Sequence, residues 1–212
     1  MATTKKISQL TAISDGVYFD DDLFEISYWN GSAFLSRKIT GAQMKATTKN
    51  GLYAQTVVSS TLTNTTIETS IVGSGEGSLT VPADTFVVGD SYHAKIGGLI
   101  SAQNGDDITI NIKTGATTLA TTGLISLEAV TELGWELELD FTIATIGASG
   151  SICTNGNFAY NRNTGSLEGY VFQDVQAIDT TASNTLDITA TWNQAKTQDQ
   201  IYSANFVLYK VY

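Results

Sequence analysis

From Ile67 to the C-terminus the chain repeats one device: short runs of alternating apolar and polar residues, each closed by Gly, Asn, Asp or Ser. In the clearest run, Trp135, Leu137, Leu139, Phe141 and Ile143 share one parity, and Glu136, Glu138, Asp140 and Thr142 share the other. Successive side chains of a strand point to opposite faces, so this run predicts a strand with one dry and one wet face. Ile108, Ile110 and Ile112 repeat the pattern, as do Leu186, Ile188, Ala190 and Trp192. A series of such strands predicts an all-β, antiparallel β-sandwich. Composition agrees with it, because Thr, Ser, Asn and Gly are abundant and proline occurs once, at Pro82. The lone Cys153 excludes an intrachain disulfide and, with His93 the lone histidine, a zinc cluster. The fold must hold by packing and strand pairing.

The last run differs from the others. Phe206 and Leu208 lie on one face, and Val207, Tyr209 and Val211 on the other. A strand that is apolar on both sides lies centrally or packs one face on another subunit. With the chain ending at Tyr212, an axial place in a closed cyclic trimer satisfies this strand. The expected trimer interface is therefore Phe206, Val207, Leu208, Tyr209, Val211 and Tyr212.

Residues 1–50 read as a separate small module. Phe24, Ile26 and Tyr28 alternate with polar residues, Asn30 and Gly31 supply a left-handed turn, and Phe34 to Ile39 return as a second strand. Thr40 then suits the N-cap of a short helix over GAQMKA, with Met44 as its apolar contact. A lone hairpin is marginal in water, so the module needs a partner surface or symmetry mates. Residues 51–65, rich in Thr, Ser and Asn, read as a linker or short shaft, and residues 66–212 as the sandwich.

Charge divides along the same line. Residues 1–50 hold six bases and five acids, and the remaining residues five bases and sixteen acids. An acidic distal part argues against nucleic acid, whose phosphates call for clustered Lys and Arg. No apolar run is long enough to span a bilayer, and the opening MATTKKISQL lacks the apolar core of a secretory signal. No membrane insertion is expected.

The openings KKISQLTAISD, DDLFEISYWNG and RKITGAQMKA resemble the N-terminal attachment segment common among bacteriophage fibre and appendage proteins. The segments SLTVPADTFVVGDSYHAK, WELELDFTIATIG, NGNFAYN, NTLDITATW and IYSANFVLYKVY resemble the knob of phage head-fibre and tail-fibre proteins. This resemblance implies a tumour necrosis factor-like jelly-roll knob that forms a homotrimer. It also implies a virion location and anchoring to capsid or tail proteins through the N-terminal module. Residues expected at that anchor are Ile7, Leu10, Phe24, Ile26, Trp29, Ile39 and Met44. A host-surface receptor or glycan is the implied outer partner, the short middle favours a stubby head fibre, and the family brings no catalytic residues and no cofactor.

Candidate chemistry is sparse. A Cys153–His93 dyad would need the fold to bring two isolated residues together. Glu136, Glu138 and Asp140 are spaced along one strand as the two carboxylates of a glycosidase are, although any solvated strand face shows such a row. Asp20, Asp21 and Asp22, or Asp106 and Asp107, offer oxygens to calcium but lack the spacing of an EF-hand loop. Gly73, Gly75 and Gly77 lack the Lys and Ser/Thr of a phosphate loop and read as a flexible entry into SLTVP. Tyr160, Tyr170 and Arg162 flank the loop NRNTGSLEG and are the expected receptor contacts.

Overall fold

The computed structural model describes residues 23–29, 32–40 and 51–212, and the chain divides into two units, Met1–Lys49 and Asn50–Tyr212. In the first unit, β1 (Leu23–Trp29) pairs antiparallel with β2 (Phe34–Thr40), from Leu23 opposite Thr40 to Trp29 opposite Phe34. The expected hairpin strands are present, and Thr40 ends β2. The expected helix, with Met44, and the attachment residues Ile7 and Leu10 lie outside the described residues.

The second unit is all-β and antiparallel, built from two sheets. The strands of the larger one are β3 (Gly51–Gln55), β4 (Leu62–Thr63), β6 (Gly75–Gly77), β8 (Ser91–Ala102), β11 (Val130–Thr145), β12 (Gly150–Asn161), β13 (Leu167–Ile178) and β15 (Gln200–Lys210). Their order is β13-β12-β11-β8-β15-β3-β6, with β4 beside β15. The smaller sheet holds β5 (Thr69–Ser70), β7 (Thr80–Val81), β9 (Asp107–Thr114), β10 (Thr117–Ser126) and β14 (Asn184–Trp192). Its order is β10-β9-β14-β5, with β7 also on β14.

The alternation read from the sequence decides which face of each strand is inside. Leu137, Leu139 and Ile143 of β11 are fully buried, as are Ile108, Ile110 and Ile112 of β9 and Ile188 and Ala190 of β14. Removing each such branched side chain from water contributes roughly 1.5–3 kcal/mol, so these rows dominate the sandwich's stability.

Two features of the large sheet depend on glycine. In β15 the register shifts between Ser203 and Asn205, so Ile201 and Ser203 and then Phe206 and Leu208 all face inward. Such a bulge changes parity by one residue. Across from it stand Gly97 and Gly98 of β8, and a Cβ on Gly98 would sit 1.9 Å from the Tyr202 carbonyl oxygen. Bulge and glycines therefore form one device. Gly75 and Gly77 of β6 lie just as close to β3, each with a Cβ position 2.1 Å from a β3 carbonyl oxygen.

Two expectations change here. The glycine series is a tightly packed edge strand, not a flexible entry. Residues 51–65 contain β3 and β4, both paired to β15, and Tyr53 is buried with its hydroxyl donating to the Gly73 carbonyl at 2.5 Å. The stretch is stitched into the sheet where a linker or short shaft was expected.

Candidate adhesion surface

The expected receptor contacts cluster at one edge of the large sheet, but most of their polar atoms are already engaged. Tyr160 of β12 points inward, because its parity matches Phe158, and it is fully buried. Its hydroxyl accepts the Glu128 amide at 3.1 Å and donates to Glu168 Oε2 at 2.8 Å. Tyr170 donates to the other Glu168 oxygen at 2.8 Å. Arg162 lies 2.7 Å from Glu128 Oε1 and 2.7 Å from Glu168 Oε2, the second contact being an ion pair without hydrogen-bond alignment. Burial raises the Glu168 carboxyl, but the two tyrosine hydrogen bonds and the Arg162 charge outweigh it, and the group is held below its usual range. Burial and then the same hydrogen bond push Tyr170 up.

Tyr160 is thus a buried bracket rather than a receptor contact, and Arg162 is committed to two carboxylates. The groups that do reach solvent here are ones the sequence reading passed over: Leu167 and Val171 on β13, with Val175 further along it. Period-two reading of GYVFQDVQ separates Val171 and Val175 from Tyr170 and Phe172, a signal masked by apolar residues on both parities.

The terminal strand divides in the same way. Phe206 and Leu208 face the sandwich core, at 0% and 5% exposure, which removes them from the expected trimer interface. Val207 is half-buried on the outer face, while Tyr209, Val211 and Tyr212 are exposed. Tyr209 leans on His93, with ring centroids 5.1 Å apart, and His93 Nδ1 lies 2.9 Å from Asp140 Oδ1. The outer face continues into Lys95, which bridges Glu136 at 3.0 Å and Glu138 at 2.6 Å. Lys95 holds Glu138 below its usual pKa, the opposite of what a glycosidase acid needs. This row is a salt-bridged strand face.

Cys153 stands across β11 from Ser91, two strands away and out of register with His93. At about 4.8 Å per strand, that spacing puts the thiol beyond hydrogen-bond reach of the imidazole. Asp106 is buried against the Lys196 ammonium, and Asp107 exchanges hydrogen bonds with Asn193. Among the described residues no group of three or more His, Cys, Asp or Glu is placed to hold a metal ion. Asp20, Asp21 and Asp22 lie outside them. For Phe24, Ile26, Trp29 and Ile39, the described feature is their place in β1 and β2.

All five bases of residues 51–212 carry carboxylate partners: Lys95, Lys113 on Glu68, Arg162, Lys196 on Asp106 and Lys210 on Asp90. The sandwich therefore has an acidic surface without a basic patch, and what it offers a partner is apolar and acidic. No helix among the described residues is long and apolar enough to cross a membrane. No known protein family, curated protein or solved structure matches the chain.

Proposed function

We propose that the chain is a structural subunit of a bacteriophage particle, a homotrimeric head fibre or short tail fibre with a jelly-roll knob. In this reading residues 1–50 anchor to capsid or tail proteins, and the acidic sandwich points outward to meet a host-surface receptor or glycan. Its action is adhesion without turnover. The phage assignment rests on the sequence resemblance of the attachment segment and the knob segments.

The observation that carries the assembly is the outer face of β15. Val207 and Tyr209, followed by exposed Val211 and Tyr212, present a row of apolar side chains on one outer face of the sandwich. Contiguous apolar surface of this kind marks a contact with another chain, and a cyclic trimer covers the same patch on every subunit. Light scattering of the full chain tests it: a homotrimer has about three times the 22.6 kDa chain mass. A monomer at micromolar concentration rejects the trimer. Antibody labelling of intact particles tests the virion location, and competition of phage adsorption by the purified full chain tests the adhesive role. Adsorption unchanged at saturating protein leaves a capsid decoration protein as the remaining structural reading.

A further inference from the structure

Between the two sheets, at the end where residues 78–90 cross from one to the other, the sandwich has a pocket of about 240 Å³ that opens to solvent. Its walls are Tyr92, Phe141 and Leu208 from the large sheet, Leu119 and Leu186 from the small one, and Phe86 from the crossing segment. The side-chain polar groups around it are already satisfied within the protein. Ser78 donates to the Thr80 carbonyl, and the Thr80 hydroxyl bonds that of Thr185 at 2.7 Å. Asn184 accepts from Thr114 and donates to the Asp179 and Ala182 carbonyls. Lys210 is held on Asp90 at 2.6 Å, and Tyr92 also donates to Asp90.

We propose that this pocket is a binding site for a neutral, apolar molecule of the size of one substituted benzene ring. Its volume, its lining and its apolar wall atoms set the class. First, an apolar cavity of about 150 Å³ lined by Leu, Ile and Phe takes up benzene, so the larger volume here has room for a ring with substituents. Second, the wall is almost wholly apolar and the charge of Lys210 at its rim is already paired with Asp90, so a charged or strongly hydrogen-bonding ligand would lose more on leaving water than the apolar contact returns. Third, a fitting hydrocarbon makes dispersion contacts with the apolar wall atoms and takes their surface out of water. The route in is the crossing segment itself: β7 meets β14 through two residue pairs, Asn184 with Val81 and Thr185 with Thr80, and Thr80 and Pro82 are exposed at the mouth. The inference stands apart from the fibre reading, since it uses one subunit's interior alone.

The test is titration of the full chain with p-xylene by calorimetry, beside p-toluate, which has the same ring with one methyl replaced by a carboxylate. The expected result is saturable binding of one p-xylene per chain, with p-toluate weaker by roughly tenfold or more. Leu119→Trp fills the cavity and abolishes the p-xylene signal. Should that variant fail to fold by circular dichroism, Leu186→Phe, at a half-buried wall position, serves in its place and weakens binding. The proposal is overturned by absence of saturable p-xylene binding, by equal affinity for the two probes, or by undiminished binding in a folded filling variant. It is equally overturned if p-xylene binds only on dilution to monomer, because a second copy then occupies the space.

Discussion

The carboxyl of Asp199 is fully buried beside that of Asp106, and no side chain donates a hydrogen bond to either Asp199 oxygen. Two buried carboxylates cannot both keep their charge at such a distance, and Lys196 sits on Asp106. The economical state is an ionised Asp106 paired with Lys196 and a protonated Asp199 donating to the free Asp106 oxygen. Burial, followed by the Asp106 hydrogen bond and charge, pushes Asp199 up to about 6 from 3.8.

A raised acid pKa means the native state binds more protons than the unfolded chain between those two values. Stability therefore falls as pH rises from about 4 to 6 and is level above, by on the order of 3 kcal/mol from this group. Asp199→Asn keeps a donor and removes the charge. It is expected to flatten that window and stabilise the protein at pH 7.5 by about 1–3 kcal/mol in urea unfolding. A variant less stable than the parent at pH 7.5 counts against the shared proton.

Glu68 acts in the opposite direction. It accepts from Thr189 at 2.6 Å, Asn111 at 2.9 Å and Lys113 at 2.9 Å, tying the start of β5 to β14 and β9. These hydrogen bonds, that from Thr189 foremost, lower its pKa to about 2 from 4.5. The stability it supplies is present above pH 4.5 and is lost as pH falls towards 2. Its side chain is 35% exposed, so solvent screening reduces the contribution to about 1–2 kcal/mol. Glu68→Gln is expected to cost that much at pH 7 and little at pH 2.5, read by the same unfolding curves at the two pH values.

Tyr160 and its neighbours give a third test. Tyr160→Phe deletes the hydroxyl that joins the Glu128 amide to Glu168 while keeping the ring against Phe158, 6.3 Å between centroids. A buried group left without its partner costs about 1–3 kcal/mol, and thermal unfolding should show it. Because Tyr160 is fully buried, the same change should leave adsorption competition intact in folded protein.

How much of this was readable from sequence follows from the kind of signal each feature leaves. Strict alternation placed Leu137, Leu139 and Phe141 inside, since side-chain period and burial are the same geometric fact. The same rule separates Phe206 from Val207, but the rule cannot say which parity is the core when both are apolar. Gly98 leaves no periodic signal: its role depends on a bulge in β15, more than a hundred residues away, and so appears only in three dimensions. Gly98→Ala should cost about 3 kcal/mol or more, because the contact is with backbone that cannot rotate aside, and a thermal midpoint close to that of the parent would refute the device. Likewise the parity that Tyr160 shares with Phe158 turns it inward, but that it meets Glu168 depends on the pairing of β12 with β13, a register no single strand reveals.

The terminal strand allows the assembly reading to be tested apart from the fold, because adjacent residues face opposite ways. Phe206 is fully buried and packs on Tyr53, centroids 5.5 Å apart, so Phe206→Ala should cost about 3–5 kcal/mol through the cavity it leaves. Tyr209 is 39% exposed beside His93 on the outer face, and in the isolated subunit Tyr209→Arg should change the thermal midpoint little. In the proposed trimer the same change buries a cation against an apolar row. Loss of a central aromatic anchor at an interface costs about 2 kcal/mol or more, a shift of roughly thirtyfold in the concentration at which subunits dissociate. Light scattering over a dilution series should therefore find Tyr209→Arg as a 22.6 kDa monomer at concentrations where the parent remains assembled. Equal masses for parent and variant across the series would move the contact away from the outer face of β15, towards the exposed Val171 and Val175 of β13.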